Sequence, residues 1–457
     1  MTSLLVYAGW GCVYSTMGAD WTSMPDNSIA HTDYSADPSA RVFEGRLYVY
    51  VSHDRNDSRE WDMTDYHCYS TDDLANWQDH GVILDLKDIR WASQQLWAPD
   101  CVSVDGTYYL YFPVRLESRE PGERGPFVIG IATAKTPYGP FVDLGKPIHG
   151  VRGIDPGVFI DDDGQAYLSW SGSPFMAKLK KNMRTLDGSW IRVQGIENYF
   201  EGSWIFERNG IYYMTYPAHM EGGSGHGGRG QYYDYAMAEN PFGPYVYKGH
   251  FSRTNEGDEN IHGSQVEWLG KWYCFYHDFS TSGEHGRFKR NVRFDELFFN
   301  PDGTIQELKK TMSGPQPLKN FNPFKRCEAE CLNLADVPEG PHAIMTEPCS
   351  EGGVNVTDIH TGDWIRYANV DFEEGAMRFN ARVASRSPGT EIELRLDRLD
   401  GPLIGKCPVG DTGGLQSWKT VSCDVANVSG VRYLFIRFIG PDGDDAFAGF
   451  DWFEFKR

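Results

Sequence analysis

Five polar residues stand at matching points in the first two-thirds of this 457-residue chain, each in an apolar setting marked by Pro or Gly. They are Asp37 in Ala36-Asp37-Pro38-Ser39, Asp100 in Trp97-Ala98-Pro99-Asp100, Asp155 in Ile154-Asp155-Pro156-Gly157, Glu201 in Phe200-Glu201-Gly202-Ser203 and His262 in Ile261-His262-Gly263-Ser264. Two carboxylates flanking an anomeric carbon are the minimum equipment for splitting a glycosidic bond. One, protonated, gives its proton to the leaving oxygen; the other, ionised, activates water or attacks directly. A third carboxylate near the acid helps keep it protonated. Asp37, Asp155 and Glu201 supply such a trio. Metal-dependent chemistry is the competing use of Asp and His, but the chain has no HExxH or comparable ligand spacing. An Asp-Pro pair alone is a common turn initiator. The coincidence of position across five segments is what gives these acids weight.

The elements that must position them are announced by a repeated phrase, a Gly turn followed by an aromatic-rich strand. Its copies are Gly45-Arg46-Leu47-Tyr48, Gly106-Thr107-Tyr108-Tyr109, Gly164-Gln165-Ala166-Tyr167, Gly210-Ile211-Tyr212-Tyr213 and Gly270-Lys271-Trp272-Tyr273. The intervals are about 60, 60, 45 and 60 residues, the scale of a radial array of small sheets. Gly after a polar residue suits a tight hairpin, and aromatic and β-branched residues suit strands packed between neighbouring sheets. Five copies predict a five-bladed β-propeller. Equivalent positions of all blades face one axis, so the five polar residues should meet in one pocket. Tyr138-Gly139-Pro140-Phe141 and Phe242-Gly243-Pro244-Tyr245 repeat a further element between blades.

Composition agrees: 14% aromatic residues, 50 Gly and 25 Pro favour short strands and turns. With 43 basic against 64 acidic residues the formal charge is −21, which repels phosphate backbones and anionic lipid; nucleic acid and membrane are not expected partners. No apolar run reaches the length of a membrane span. Leu4-Leu5-Val6-Tyr7-Ala8-Gly9-Trp10 lacks a basic flank and reads as a packed terminal segment rather than an intact signal peptide. Five of nine cysteines fall after residue 326, where one or two disulfides of an exported domain would fit, and the odd total leaves one unpaired. No CxxC pair occurs. Sequons stand at Asn56, Asn355 and Asn427. Gly222-Gly223-Ser224-Gly225-His226-Gly227-Gly228 reads as a flexible lip over the pocket, with no Walker-type Lys after it.

An all-β organisation follows: residues 1–312 as the five-bladed propeller, 313–326 as a Pro-marked linker, and 327–457 as a β-sandwich of jelly-roll type. The second unit is carried by evenly spaced strands such as Ala376-Met377-Arg378-Phe379, Tyr433-Leu434-Phe435-Ile436 and Phe450-Asp451-Trp452-Phe453.

Taken in order, the Asp37, Asp100, Asp155, Glu201 and His262 motifs, with Phe159-Ile160-Asp161-Asp162-Asp163-Gly164, Arg290-Asn291-Val292 and Asn300-Pro301-Asp302-Gly303, resemble family 43 glycoside hydrolases over about residues 30–310. Gln95-Leu96-Trp97 and Ser52-His53-Asp54 are closest to β-xylosidase and α-L-arabinofuranosidase members. The resemblance implies an inverting hydrolase releasing xylose or arabinose from plant-type oligo- or polysaccharide. Asp37 matches the general base, Asp155 the acid that tunes and orients, Glu201 the general acid, and Arg290 a residue gripping sugar hydroxyls. Trp97 is a candidate stacking platform and His53 a candidate pocket residue, while Asp100 receives no catalytic role. His262 matches a histidine that touches a calcium ion or its waters near the axis.

Residues 325–457 resemble a family 6 carbohydrate-binding module, in which Glu328, Glu330 and Asp451 would hold a structural Ca2+ through hard oxygen ligands. Asp358 and Leu415 occupy positions where stacking aromatics are expected, so a structural or docking role competes with sugar binding. No organic cofactor is implied. Secretion or a periplasmic location follows only from a polymer substrate. Competing readings are another family 43 specificity, such as arabinanase or exo-galactanase, and a non-catalytic sugar-binding propeller. Endo or exo action and oligomeric state are not legible.

Overall fold

The computed structural model describes residues 27–55, 58–118, 123–220, 230–255, 258–280, 288–335, 344–441, 443 and 445–457. The expected lip at 222–228, the terminal segment around Leu4–Trp10 and the Asn56 sequon lie outside them.

Five antiparallel sheets follow one another along the chain. Blade one is Tyr34–Phe43, Arg46–Asp54, Asp65–Thr71 and Trp77–Asp85; blade two is Asp100–Val104, Thr107–Arg115, Phe127–Ala134 and Val142–Asp143. Blade three is Gly157–Ile160, Ala166–Trp170, Phe175–Lys178 and Ile191–Arg192; blade four is Trp204–Arg208, Ile211–His219, Gln231–Ala238 and Val246–Arg253. Blade five has Gly263–Trp268, Lys271–Asp278 and Asn291–Leu297. Four of the repeated phrases are hairpin turns with two successive left-handed residues: Glu44-Gly45, Asp105-Gly106, Asn209-Gly210 and Leu269-Gly270. Their backbone twist matches that of the paired strands.

The first strand of each blade touches the first strand of the next, and blade five's touches blade one's, which closes the ring. The closure is bonded: the Ile29 N–H donates to the Val292 carbonyl at 3.1 Å, and Ser28 bridges Arg293, extending blade five with the chain's early residues. Apolar clusters fill the wedges between blades. Between blades five and one lie Val49, Trp77, Phe275 and Phe294; between one and two lie Tyr50, Tyr66, Leu110 and Phe112. Buried tyrosines join neighbours through their hydroxyls, Tyr50 to the Pro137 carbonyl and Tyr111 to the Met183 carbonyl. An apolar body with a polar tip explains why Tyr suits these wedges.

The second unit is a two-sheet sandwich. One sheet contains Val354–Ile359, Ala448–Lys456, Ala376–Ser385 and Gly414–Val428; the other contains Trp364–Asp371, Val431–Ile439, Glu391–Leu396 and Leu403–Pro408. Phe379, Phe450, Phe453 and Ile436 fill its core. Eight cysteines among the described residues are free thiols, with Cys407 and Cys423 close enough to interact.

The two units are bonded through blade one. Cys331–Leu332 pairs with its outer strand, and the Asn76 side chain accepts from the Ala368 N–H at 2.8 Å and donates to the Ala368 carbonyl at 3.0 Å. Thr346 donates to Asp79 at 2.8 Å. Gly81, at φ +67°, lets Val354 approach to where a Cβ would stand 3.0 Å from it. Within the stretch expected as a linker, the Leu318 N–H donates to the Asp73 carbonyl, and Phe321 and Phe324 pack on the sandwich core.

Candidate active site

Asp37 lies where the register of blade one's first strand slips between Ala36 and Ser39, and its φ is +54°. Such a bulge re-aims a side chain; Asp37 lines the pocket at the propeller axis. Its Oδ1 accepts from Arg290 Nη1 at 2.9 Å and its Oδ2 from Ser52 Oγ at 2.5 Å. Burial pushes against ionisation, but the Arg290 guanidinium first, and then the hydrogen bond of His262, hold the carboxyl well below the usual range. Asp37 is ionised. Its backbone N–H donates to His277 Nδ1 at 3.1 Å, which requires that nitrogen to be unprotonated; Nε2–H then donates to Asn260 Oδ1 at 3.0 Å. Burial and the Arg290 charge keep His277 neutral.

Asp155 and Glu201 complete the trio from blades three and four. Asp155 is buried, has φ +52°, and its Oδ2 has no hydrogen-bond partner. Glu201 is half-buried at the bend before Trp204–Arg208. Burial raises the Glu201 pKa, Asp155 raises it further by repulsion, and Asp37 adds to this. Asp155 is itself raised, chiefly by burial, with His262 opposing. Asp37 therefore holds a charge and Glu201 a proton under the same conditions.

His262 reaches the pocket with Nδ1 at 3.4 Å from Asp37 Oδ1. A Cβ on residue 202 would stand 2.4 Å from its Nε2, so Gly202, at φ +59°, makes room for the ring. Burial opposes its charge, but bonding to Asp37 and the fields of Asp155, Asp37 and Glu201 raise it to about 9. With Nδ1 turned to Asp37, Nε2, beside Gly202, is the ring atom that would meet a calcium ion or its waters.

Arg290 is held on several sides. Its Nε and Nη2 both donate to Asp54 at 2.8 Å, Nη1 donates to Asp37, and the ring of Trp61 covers the guanidinium at 4.5 Å. Trp97 is half-buried beside this wall, donating through Nε1 to the Trp61 carbonyl and packing on Phe127 at 4.4 Å. His53 has both ring nitrogens engaged, Nε2 2.7 Å from Asp33 and Nδ1 2.7 Å from Asp65. Asp100 accepts from Arg41, Ser39 and the Val158 N–H, and Arg41 lies 4.1 Å over the ring of Trp204, which lines the pocket. Sequence reasoning gave no role to Asp54, His277 or Trp61. Asp54 stood inside a quoted motif, while His277 and Trp61 carry no local signal.

In the second unit, Glu330 is buried with Oε2 lacking a partner; burial and the fields of Glu328, Asp79 and Asp451 raise its pKa well above the ordinary value. Arg326 donates to Glu328 and stands 3.8 Å from Asp451. An orphaned buried carboxylate oxygen among hard oxygen donors fits a calcium ion. Asp358 sits left-handed at φ +54°, Leu415 is half-buried, and the neighbouring Trp418 is buried against Cys349 and Ala384. None of these three presents an open aromatic face.

The model of glycosyl hydrolases family 43 matches residues 25–305, and that of carbohydrate binding module family 6 matches residues 339–457. An arabinoxylan arabinofuranohydrolase of Paenibacillus polymyxa is 32% identical over 482 residues, covering 91% of this chain and 72% of the relative. Xylosidase/arabinosidase 43A of Humicola insolens is 36% identical, over 60% of this chain and 96% of its own. The crystal structure of a family 43 arabinoxylan arabinofuranohydrolase from Bacillus subtilis in complex with cellotetraose superposes with a TM-score of 0.81, at 29% identity over 95% of this chain and 100% of the other. A β-xylosidase/α-arabinofuranosidase from a compost metagenome, in complex with xylotriose and in calcium-free form, matches with a TM-score of 0.55 at 34% identity, over 62% of this chain and 96% of the other.

Proposed function

Since the chain belongs to glycosyl hydrolases family 43, we propose that it removes arabinofuranosyl branches from arabinoxylan-type chains with inversion at the anomeric carbon. The observation that carries the reading is the opposed state of two carboxyls in one pocket, Asp37 ionised beside Arg290 and Glu201 protonated beside Asp155. In this mechanism Asp37 takes a proton from water as the water's oxygen bonds to the anomeric carbon. Glu201 gives its proton to the departing glycosidic oxygen, and the C–O bond breaks. Asp155 keeps Glu201 protonated by repulsion. Asp54 fixes Arg290, and Arg290 fixes Asp37. Release of terminal xylose is the second reading, favoured because relatives matching the propeller alone are named for both sugars.

Glu328, Glu330 and Asp451 would hold calcium in the sandwich; the bound ion supplies positive charge to the buried Glu330. Among the described residues Asp358 and Leu415 stand where the cleft's stacking aromatics were expected, and the sandwich's bonds to blade one support a docking role. A polymeric substrate makes export part of the proposal.

The test is hydrolysis of nitrophenyl α-L-arabinofuranoside and β-D-xyloside, beside an unactivated arabinoxylo-oligosaccharide. Asp37→Ala should fail on all three. Glu201→Ala should lose the oligosaccharide while keeping far more of the activated substrates, whose leaving groups need little protonation. Activity surviving Asp37→Ala, or a product of retained anomeric configuration, would refute the mechanism.

A further inference from the structure

We propose that Asp33, His53 and His67, at the end of blade one, form a site for a divalent transition-metal ion of the zinc class. One ligand atom from each lies within 4.8 Å of the others. His53 and His67 sit on adjacent strands, Arg46–Asp54 and Asp65–Thr71. His67 pairs with Val51, which places His53 on its diagonal with the rings on one face, 5.0 Å apart between centroids. Asp33 directly precedes the strand Tyr34–Phe43. Three neighbouring segments of a single sheet thus supply the three donors, and sheet-borne positions hold a site more tightly than loops.

The hydrogen bonding is that of a metal site's surroundings. His53 Nδ1 is 2.7 Å from Asp65 Oδ1, an imidazole N–H to carboxylate contact that sets the ring's tautomer and leaves Nε2 facing Asp33. This Asp–His orientation is the usual outer support of a metal-bound imidazole.

His67 gives the second, independent observation. It is 6% exposed, Nε2 stands 3.5 Å from Asp65 and Nδ1 3.5 Å from Asp79, and the buried Nδ1 makes no hydrogen bond. A buried imidazole normally satisfies its nitrogens; here each faces a carboxylate only at ion-pair distance, and Nδ1 has no hydrogen bond. Three carboxylates, Asp33, Asp65 and Asp79, surround two imidazoles, so a cation is electrostatically favoured there. Two imidazoles with one carboxylate select the zinc class over calcium, which takes oxygen ligands. Tetrahedral bonds of about 2.0–2.1 Å put ligand atoms about 3.3 Å apart, which small side-chain rotations would reach. Neither the family-implied calcium nor the catalytic trio uses these residues.

Tag-free full-length protein, stripped with chelator and then dialysed, would be titrated with Co2+ while its visible d–d bands are followed, and melted with Zn2+ or Ca2+. One equivalent of Co2+ should develop the bands. His67→Gln and Asp33→Asn should each weaken Co2+ binding at least tenfold and abolish the part of the Zn2+ stabilisation that Ca2+ does not reproduce. Circular dichroism checks that both variants are folded, and Asp33→Asn, which lies ahead of the strand, keeps the test open if His67→Gln is not. Bands absent from the wild type, or unchanged in a folded variant, would show that the five residues form only an ion-pair network and would overturn the proposal.

Discussion

Replacing Asp155 by Asn removes a negative charge from beside Glu201 while preserving the size of the side chain. Glu201 is pushed up to about 8, by burial first and by Asp155 second, and it works as an acid only while protonated. The basic limb of the pH–rate profile therefore follows its deprotonation. Asp155 itself is raised to about 6, so it is ionised once the pH reaches that limb. A like unit charge several ångströms away at an effective dielectric near 20 contributes on the order of 2 kcal/mol, or about 1.5 pH units. The sign is fixed: removing the neighbouring anion favours the ionised form of Glu201, lowers its pKa, and depletes the active form at lower pH. Asp155→Asn should move the basic limb of kcat/KM down by about that amount. The assay needs an unactivated oligosaccharide, since a nitrophenyl leaving group hides the need for an acid. A limb that stays in place or moves upward would refute the assignment of Asp155 as the group holding Glu201 protonated.

Asp54→Asn removes the carboxylate that grips Arg290 through two side-chain bonds and its backbone N–H. Loss of positioning at this scale should lower kcat by about 10²-fold with a smaller change in KM, and steady-state kinetics on the oligosaccharide reads both. Asn76→Ala leaves the Ala368 N–H and carbonyl buried without partners at about 1–3 kcal/mol each, so calorimetric melting of the full chain should shift down; an unchanged melt would contradict the junction. Because the folded pKa of Glu330 is raised, its favourable contribution is present below the unfolded value and is lost as pH rises through the folded one. At neutral pH Glu330→Gln should therefore raise the melting temperature in chelator and shrink the gain on adding Ca2+, read by thermal melts in both conditions.

Legibility followed periodicity. The Gly-turn phrases gave the blade count because a two-residue hairpin writes itself locally, as Glu44-Gly45 and Asn209-Gly210 do. The axial convergence of Asp37, Asp155, Glu201 and His262 was readable because a radial repeat maps equal positions onto one axis. The supports were not. Arg290 and Asp54 are 236 residues apart, and His277 meets Asp37 only because blade five returns beside blade one. His53 is a motif residue whose ring lies between Asp33 and Asp65, partners that no local signal names. Strand alternation decides the direction of such a ring, and a side chain at a strand's end is where a local reading fixes it least. Asn76 and Thr346 gave no signal of the junction, since an edge strand's partner is set by packing between units.

Arg41 has a consequence for how the blades hold together. From blade one it donates to Asp100 of blade two and to the Val158 carbonyl of blade three, and its guanidinium lies over the Trp204 ring of blade four. A single side chain thus acts as a hub pin for four of the five blades. The segments that carry Asp37, Asp155 and Glu201 belong to three of them. A loosened pin would therefore disturb the spacing of all three acids together, a fault no change at any one of them would reproduce.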